Sequence, residues 1–357
     1  MILDRTHGLE PLLAEVEGKP HAMVALARLM HSSANAERAV ALAARALELA
    51  PQDGEVCAIA AEVLSAGVPR WHFEIVRDHP RNDAYEAALR RAVFPGCKVL
   101  EIGTGTGLLA MMAARAGAAE VITCEANFAV AMAAKKIIAL NGYADRVRVI
   151  VKHSTALDVE ADMGGPADIL VSEIISNDLL SEEVLPAVEH ARRHLVKPDA
   201  AIIPLRGRIR VALAYDDERL DAMIGHAAGF DLTPFNALAS PHDEIYVGAS
   251  RLTLRSDPVD LFTFDFAAEK TFPGAKCART LRAHGRRING IAQWIALDMD
   301  GEGVFENPPS PGTTSSWMTV FYPFKRDVSM TENQEVVVHA RHDRGGLRIW
   351  TEGLLRS

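Results

Sequence analysis

The stretch VLEIGTGTGLL at residues 99–109 constrains this chain more than any other. A β-branched run passes directly into a glycine-rich turn and then into an apolar helical pattern, so a strand, a tight loop and a helix must follow one another. Gly103 directly follows the strand, and Gly103, Gly105 and Gly107 let the backbone turn sharply and approach a ligand where a Cβ would collide. A close backbone contact with a bound group is implied.

The flanking sequence supplies the rest of such a fold. The runs KVLEI, EVITCE, RVRVIVK and ADILVSE alternate with helical patterns such as FAVAMAAKKIIALNG, which predicts a parallel, doubly wound sheet with crossover helices. After Pro204 the texture changes. GRIRVALAYD, IYVGASRLTLRS, LFTFDFA, NGIAQWIALDMD, SWMTVFYPF and EVVVHARH read as successive strands with polar or Gly/Pro connections, an antiparallel β-sandwich or barrel. Upstream, residues 22–66 repeat apolar positions at helical spacing, and the Pro51 break and Gly67 stop resemble the helix pairs of tetratricopeptide repeats. Since about three repeats are usually needed to close a core, this segment is expected to be a helical cap docked on the next domain, with a peptide-binding groove as the other reading. The expected architecture is α/β plus β: a TPR-like helical segment at 1–70, a Rossmann-like domain at 71–204, and a β-barrel-like substrate and dimerisation domain at 205–357. A chain of 357 residues suits several packed units.

Composition serves here to exclude. A net charge of −9 argues against a surface that coats nucleic acid and eases the approach of a basic partner. The cysteines Cys57, Cys97, Cys124 and Cys277 show no CxxC pairing, so neither a zinc site nor a disulfide framework is indicated. The amino terminus, MILDRTHGLEPLLAE, has no basic stretch followed by an apolar run, and no segment holds ~18 uninterrupted apolar residues. The expectation is a cytoplasmic protein with no metal, no membrane and no nucleic-acid partner.

The glycine loop alone is ambiguous between two cofactors. A shifted register, Gly105-x-Gly107-x-x-Ala110, fits the nicotinamide dinucleotide fingerprint. Two details favour S-adenosylmethionine. Glu101 lies inside the strand just before the first glycine, where it can meet a cationic methionine end, and the dinucleotide register leaves Gly103 unexplained. Glu125, ending the second strand, is placed to accept hydrogen bonds from the ribose hydroxyls of either cofactor. Both carboxylates also have a plain reading as exposed strand-end charges, but a carboxylate at the crevice of such a sheet is usually a ligand group. Ser154 and Thr155 are candidates to bound the adenine edge, though such loop residues are common without a ligand.

Past the fourth strand, SEIISNDLLSEEVLP (172–186) carries Glu173 at the strand end and Glu182 beyond a short loop. Two carboxylates returning to one crevice suit a guanidinium, which is planar, permanently charged and able to offer paired N–H donors to each. The plainer reading gives Glu182 and Glu183 to the positive end of the following helix.

Taken together, the glycine loop, Glu125, KHST, the two-glutamate loop and HARRHLVKPDAAIIP resemble the protein arginine methyltransferases, nearest to their monomethylating, type III branch. The similarity continues through GFDLTPFN, GIAQWIALDMD and SWMTVFYPF and covers roughly residues 71–357. It implies S-adenosylmethionine as cofactor, an arginine-containing protein or peptide as substrate, and Glu173 and Glu182 as the catalytic guanidinium clamp, with Glu183 outside it. In RDHPRNDAYEAAL it implies that Arg81 pairs with the methionine carboxylate and that Asp78 is the aspartate preceding it. Family members commonly dimerise through an arm near the start of the β domain, for which residues 216–247 are the candidate. The chain also departs from the family. Its Thr-His-Trp loop appears as Ser315-Ser316-Trp317, so a His–Asp proton path is not implied. The first helix is shortened and lacks the usual lid tyrosines, which leaves the amino-terminal helices to cover the crevice. The rival readings are a methyltransferase for a small guanidino or amine compound, an inactive scaffold acting through its helices, and a dehydrogenase.

Overall fold

The computed structural model describes residues 9–31, 35–218, 224–249 and 251–352. The chain opens with α1 (Leu9–Val16), α2 (Pro20–Met30), α3 (Ala36–Leu49) and α4 (Gly54–Ser65). Proline at the start of α2 and Asp53 capping α4 through Glu55 N and Val56 N fix where these helices begin. Their buried faces meet in an apolar cluster of their own, built on Met23, Val24, Ala27, Leu42, Val56 and Val63. The expectation that so few helices could not close a core is therefore corrected. Alanines such as Ala39, Ala43, Ala46 and Ala60 pack at the centre, and small side chains let short helices approach closely enough to exclude water.

Next come α5 (Trp71–Ile75) and α6 (His79–Ala92), then β1 (Lys98–Ile102), α7 (Leu108–Ala116), β2 (Glu120–Glu125), α8 (Phe128–Leu140), β3 (Val147–Val151), β4 (Ala167–Ser172), α9 (Val184–His194) and β5 (Val196–Ile203). The five strands form one parallel sheet in the order β3-β2-β1-β4-β5. Its middle strands are nearly continuous apolar runs because helices cover both faces. Strand order reverses at β1, which pairs with β2 on one side and β4 on the other, so the ends of these three parallel strands lie side by side. That reversal is where such sheets open a crevice.

The remainder is β6 (Arg206–Asp216), a small hairpin of β7 (His226–Ala227) and β8 (Phe230–Asp231), then β9 (Asp243–Ile245), β10 (Leu252–Leu254), β11 (Val259–Asp265), β12 (Ala275–Asp298), β13 (Val304–Glu306), β14 (Thr319–His342) and β15 (Leu347–Trp350). Apart from that hairpin these strands form an eight-stranded antiparallel sheet centred on β6, β12 and β14. The segments NGIAQWIALDMD, SWMTVFYPF and EVVVHARH belong to only two long strands, β12 and β14, whose register shifts at Arg282/His284 and Ile288/Gly290. One apolar cluster runs from the parallel sheet into this one, uniting Leu100, Ile169 and Leu180 with Ile209, Ile295 and Phe324. The crevice at the strand ends is thereby held against the β half by continuous packing. Among the described residues no helix is long and apolar enough to cross a membrane.

Candidate active site

The three adjacent strand ends each deliver a functional segment. β1 delivers the glycine loop, β2 delivers Glu125 and β4 delivers Glu173. Gly103, Gly105 and Gly107 all adopt left-handed backbone angles, at φ +85°, +50° and +81°. Their reasons differ. A Cβ on Gly103 would lie 2.7 Å from Ile174 Cγ2, and one on Gly107 would lie 2.9 Å from Ile138, so both glycines permit contacts within the fold. Gly105 alone faces open space, and its N–H donates to Glu125 Oε2 at 3.1 Å. Gly103 and Gly105 line the cleft, whereas Gly107 sits behind it at the start of α7.

Glu125 accepts a second bond, from Asn127 N at 2.9 Å, so its carboxylate is held from two sides while it lines the cleft. Glu101 is not a surface charge. It is 1% exposed and accepts from Thr123 Oγ1, which in turn meets Thr104 Oγ1 at 2.6 Å. Burial pushes its carboxyl up to about 8, against the pull of the Thr123 hydroxyl. A neutral acid here is primed to ionise when a cation arrives. Ser154, the candidate for the adenine edge, is buried at the head of a 3-10 turn and does not line the cleft.

Arg81 reaches the same cleft from α6. Asp78 caps that helix by accepting from Arg81 N, and its other oxygen accepts from Ser316 N and Oγ at 2.7 and 3.0 Å. Serine thus engages Asp78 where the resembled family has histidine. The Arg81 guanidinium donates to Glu173 Oε2 at 2.5 Å and to Asn82 Oδ1 at 2.6 Å, and lies over the Tyr85 ring. Both members of the Arg81–Glu173 pair are more than nine-tenths buried, yet Arg81 Nε and Glu173 Oε1 have no hydrogen-bond partner among the described residues. Two orphaned buried atoms of opposite character, one donor and one acceptor, fit a ligand that carries a carboxylate and another that carries a cation.

The segment between Glu173 and Glu182 is held from the β half. Trp317 Nε1 donates to Ile175 O at 2.6 Å, Gln293 Nε2 to Asn177 O at 3.0 Å, and Met318 N to Asn177 Oδ1 at 2.8 Å. Asp178 closes the turn by accepting from Leu180 N and Ser181 N. Glu182 consequently points into the cleft, while Glu183, left-handed at φ 61°, is exposed at the start of α9 and does not line it. Burial raises both cleft carboxyls to about 7; Arg81 opposes the effect at Glu173, and Asp178 adds to it at Glu182.

The structure therefore brings together Arg81, Glu101, Gly103, Gly105, Glu125, Glu173 and Glu182, and leaves Gly107 and Ser154 outside. It also adds residues the sequence reading missed. Trp71, His72, Ile75 and Val76 of the α5 region form one wall, and Asn127 forms the far end. An asparagine just before an apolar helical run is a readable cap signal; the α5 wall had no local signal. The amino-terminal helices do not cover the crevice, correcting that expectation. Among the described residues none of α1 to α4 lines it, because α3 packs along α8 instead. Among the described residues there is also no cluster suited to a metal ion.

Comparison with known proteins places the chain. Residues 78–203 match the profile of the ribosomal protein L11 methyltransferase family (PrmA). The chain is 37% identical over 333 residues to an arginine N(omega)-methyltransferase of Streptomyces achromogenes subsp. streptozoticus, covering 92% of this chain and 91% of that one. It is 30% identical over 307 residues to protein arginine N-methyltransferase 7 of Danio rerio, where it spans 44% of the relative's length and 76% of its own. Among solved structures it resembles the Trypanosoma brucei PRMT1 enzyme–prozyme heterotetrameric complex with AdoHcy (TM-score 0.69, 23% identity, 80% of this chain and 93% of that one). Arabidopsis thaliana protein arginine methyltransferase 10 is similar at TM-score 0.65 and 17% identity, over 82% and 99% of the two chains.

Proposed function

The chain belongs to the arginine N-methyltransferases, and from that membership we propose that Glu173 and Glu182 grip the guanidinium of a protein arginine while its free nitrogen is methylated. The enzyme is S-adenosylmethionine-dependent. The observation that carries the reading is the convergence of two carboxylates, Glu173 buried and Glu182 half-buried, on the cleft that also holds the glycine loop. In the proposed assignment Arg81 receives the methionine carboxylate, Glu101 faces its cationic end, Gly103 and Gly105 give the backbone approach, and Glu125 takes the ribose hydroxyls. Bound S-adenosylmethionine supplies an electrophilic methyl on sulfur. A guanidinium nitrogen is a poor nucleophile because its lone pair is delocalised over a cation. By drawing positive charge toward the nitrogens they hold, Glu173 and Glu182 leave electron density on the remaining one and fix its direction. The attacking nitrogen becomes acidic as its new bond forms, and Glu173 or water takes the proton.

A free guanidino compound is the second reading. It is favoured by the name of the Streptomyces relative, which specifies arginine and not protein, in an alignment too long to omit the amino-terminal helices. Finer features follow the same proposal. Residues 1–70 are read as a TPR-like segment, 71–204 as the cofactor domain and 205–357 as the β domain, in a cytoplasmic protein whose cysteines are all free. Homodimerisation through the arm at 216–247 is supported by exposed Phe230, Phe235 and Leu238; residues 219–223 of that arm lie outside the described residues. Mass spectrometry of arginine-rich peptides and of free arginine, incubated with enzyme and S-adenosylmethionine, tests the proposal. Methylation of peptide arginine is expected; methylation of free arginine alone favours the second reading and overturns the first, and methylation of neither class overturns both.

A further inference from the structure

We propose that Asn127 is a positioning residue that ties the amino-terminal helical bundle and the α5 wall to the carboxylate of Glu125, making the bundle part of the cofactor-binding apparatus. This rests on the assignment of Glu125 to the cofactor.

Every polar group of Asn127 is used, and together they reach three parts of the molecule, Glu125, α8 and Gly67. Its backbone N–H donates to Glu125 Oε1 at 2.9 Å. Its Oδ1 caps α8, accepting from Ala129 N at 3.0 Å and Val130 N at 3.2 Å, and its backbone carbonyl accepts from Ala131 N at 2.9 Å. Its Nδ2 donates to Gly67 O at 2.9 Å. Gly67 belongs to the connector that leaves α4, and its left-handed φ of +75° turns the chain there. Shortly after, the connector becomes α5, whose first two side chains, Trp71 and His72, stack at 3.8 Å with planes 13° apart and both line the cleft.

The α5 wall is thus fastened at two ends. Its rear is held by Asn82 Nδ2 donating to Val76 O at 2.9 Å, and its front by the Asn127–Gly67 bond. A separate link, Lys136 Nζ to Glu48 Oε1 at 2.9 Å, lays α3 along α8, so the bundle follows the helix that Asn127 begins. Loss of the front fastening leaves α5 held at its rear and by the longer, exposed Tyr246 Oη to Glu74 Oε2 bond of 3.4 Å, and ligand binding must then bear the cost of ordering its front.

The test is Asn127→Ser in the full chain. Serine keeps a good cap for α8 but is too short to reach Gly67 O. The readouts are calorimetric affinity for S-adenosylhomocysteine and hydrogen exchange of residues 66–76 in the cofactor-free protein. Affinity is expected to fall about 3- to 10-fold, the range set by one net hydrogen bond. Exchange over the connector and α5 should quicken while α8 stays protected. Trp71→Ala serves as the second background: if Asn127 acts through the wall, adding Asn127→Ser to it costs less than about twofold more. Unchanged affinity in Asn127→Ser, unchanged exchange, or full additivity with Trp71→Ala each overturns the proposal. Failure of the wild-type protein to bind S-adenosylhomocysteine would instead remove the assignment of Glu125 on which it rests.

Discussion

Replacing Glu182 by glutamine separates the chemistry of the cleft from its architecture. Glu182 makes no hydrogen bond or ion pair among the described residues, so the near-isosteric amide breaks nothing in the cofactor-free protein. It removes one charge from the grip on a guanidinium, and a charge-assisted bond of roughly 1.5–3 kcal/mol corresponds to a loss of about 10- to 150-fold in methyl transfer. Stability should move the other way. Burial raises the Glu182 carboxyl from 4.5 to about 7, so the ionised form is penalised in the fold. Below about pH 4.5 the group is neutral in both states and costs nothing; between there and about pH 7 the penalty grows, and above it persists in full. The separation of 4.5 and about 7 bounds the penalty at roughly 3 kcal/mol, lessened by solvent at the cleft. Glu182→Gln should therefore melt at the same or a higher temperature than wild type near pH 8, with the gain vanishing near pH 4.5. Glu183→Gln, altering an exposed carboxylate outside the cleft, is the control. Single-turnover methylation at saturating cofactor is the assay. Rates within about twofold of each other for the two variants would refute the clamp, because helix-end electrostatics treats both residues alike.

Three further outcomes follow from the same geometry. Because Glu173 and Glu182 hold protons up to about pH 7, kcat/KM should rise as pH climbs through that value; a flat profile across it contradicts their role. Glu101, neutral up to about pH 8, should release its proton when a cationic ligand arrives, so calorimetry of S-adenosylhomocysteine at neutral pH should give heats that depend on buffer ionisation enthalpy, and identical heats in two buffers would exclude it. Gly105→Val, at a left-handed position facing open space, and Glu125→Ala should each weaken S-adenosylhomocysteine binding by about tenfold or more, near 1.4 kcal/mol; unchanged affinity in both would remove the cofactor assignment.

How much of this was legible in the sequence depends on the range of the forces involved. The strands β1 to β4 announce themselves through short β-branched runs, and the glycine loop through backbone angles that few other residues tolerate. Glu125, Glu173 and the glycine loop could be grouped in advance because each ends a strand, and the order of a doubly wound sheet makes those ends neighbours. The buried Arg81–Glu173 pair joins positions 92 apart in sequence, and no local pattern encodes it. Likewise α5 is a charged, aromatic turn that meets the cleft through bonds no local pattern encodes, Asn82 Nδ2 to Val76 O, Asn127 Nδ2 to Gly67 O and Tyr246 Oη to Glu74 Oε2. The core of the amino-terminal bundle escaped notice because counting repeats ignores how closely alanine faces pack. β14 reads as two strands and β12 only over its second half because the residues around the register shifts, such as ARTLRAHGRR and KRDVSMTENQ, break the apolar alternation.

The missing histidine opposite Asp78 bears on where the reaction's proton goes. Asp78 accepts from Arg81 N on one oxygen and from Ser316 N and Oγ on the other, so it joins α6 to the loop before β14, and the residue facing it there is a serine, which does not titrate as a histidine would. The cleft nonetheless contains its own bases. A carboxylate whose conjugate acid holds its proton to about pH 7 is a far stronger base than one that gives it up at 4.5, and Glu173 and Glu182 are both of the first kind. In the proposed mechanism, the burial that penalises these carboxylates in the folded protein is the same burial that would equip them to accept a proton from a nitrogen made acidic by methylation. Arg81 modulates this. While its guanidinium pairs with Glu173 it draws that carboxyl downward, and a ligand carboxylate that engages the orphaned Arg81 Nε competes for the same charge. On the proposed assignment, a ligand carboxylate at Arg81 would therefore raise the basicity of Glu173, and the two ends of the cleft would act together without a His–Asp pair.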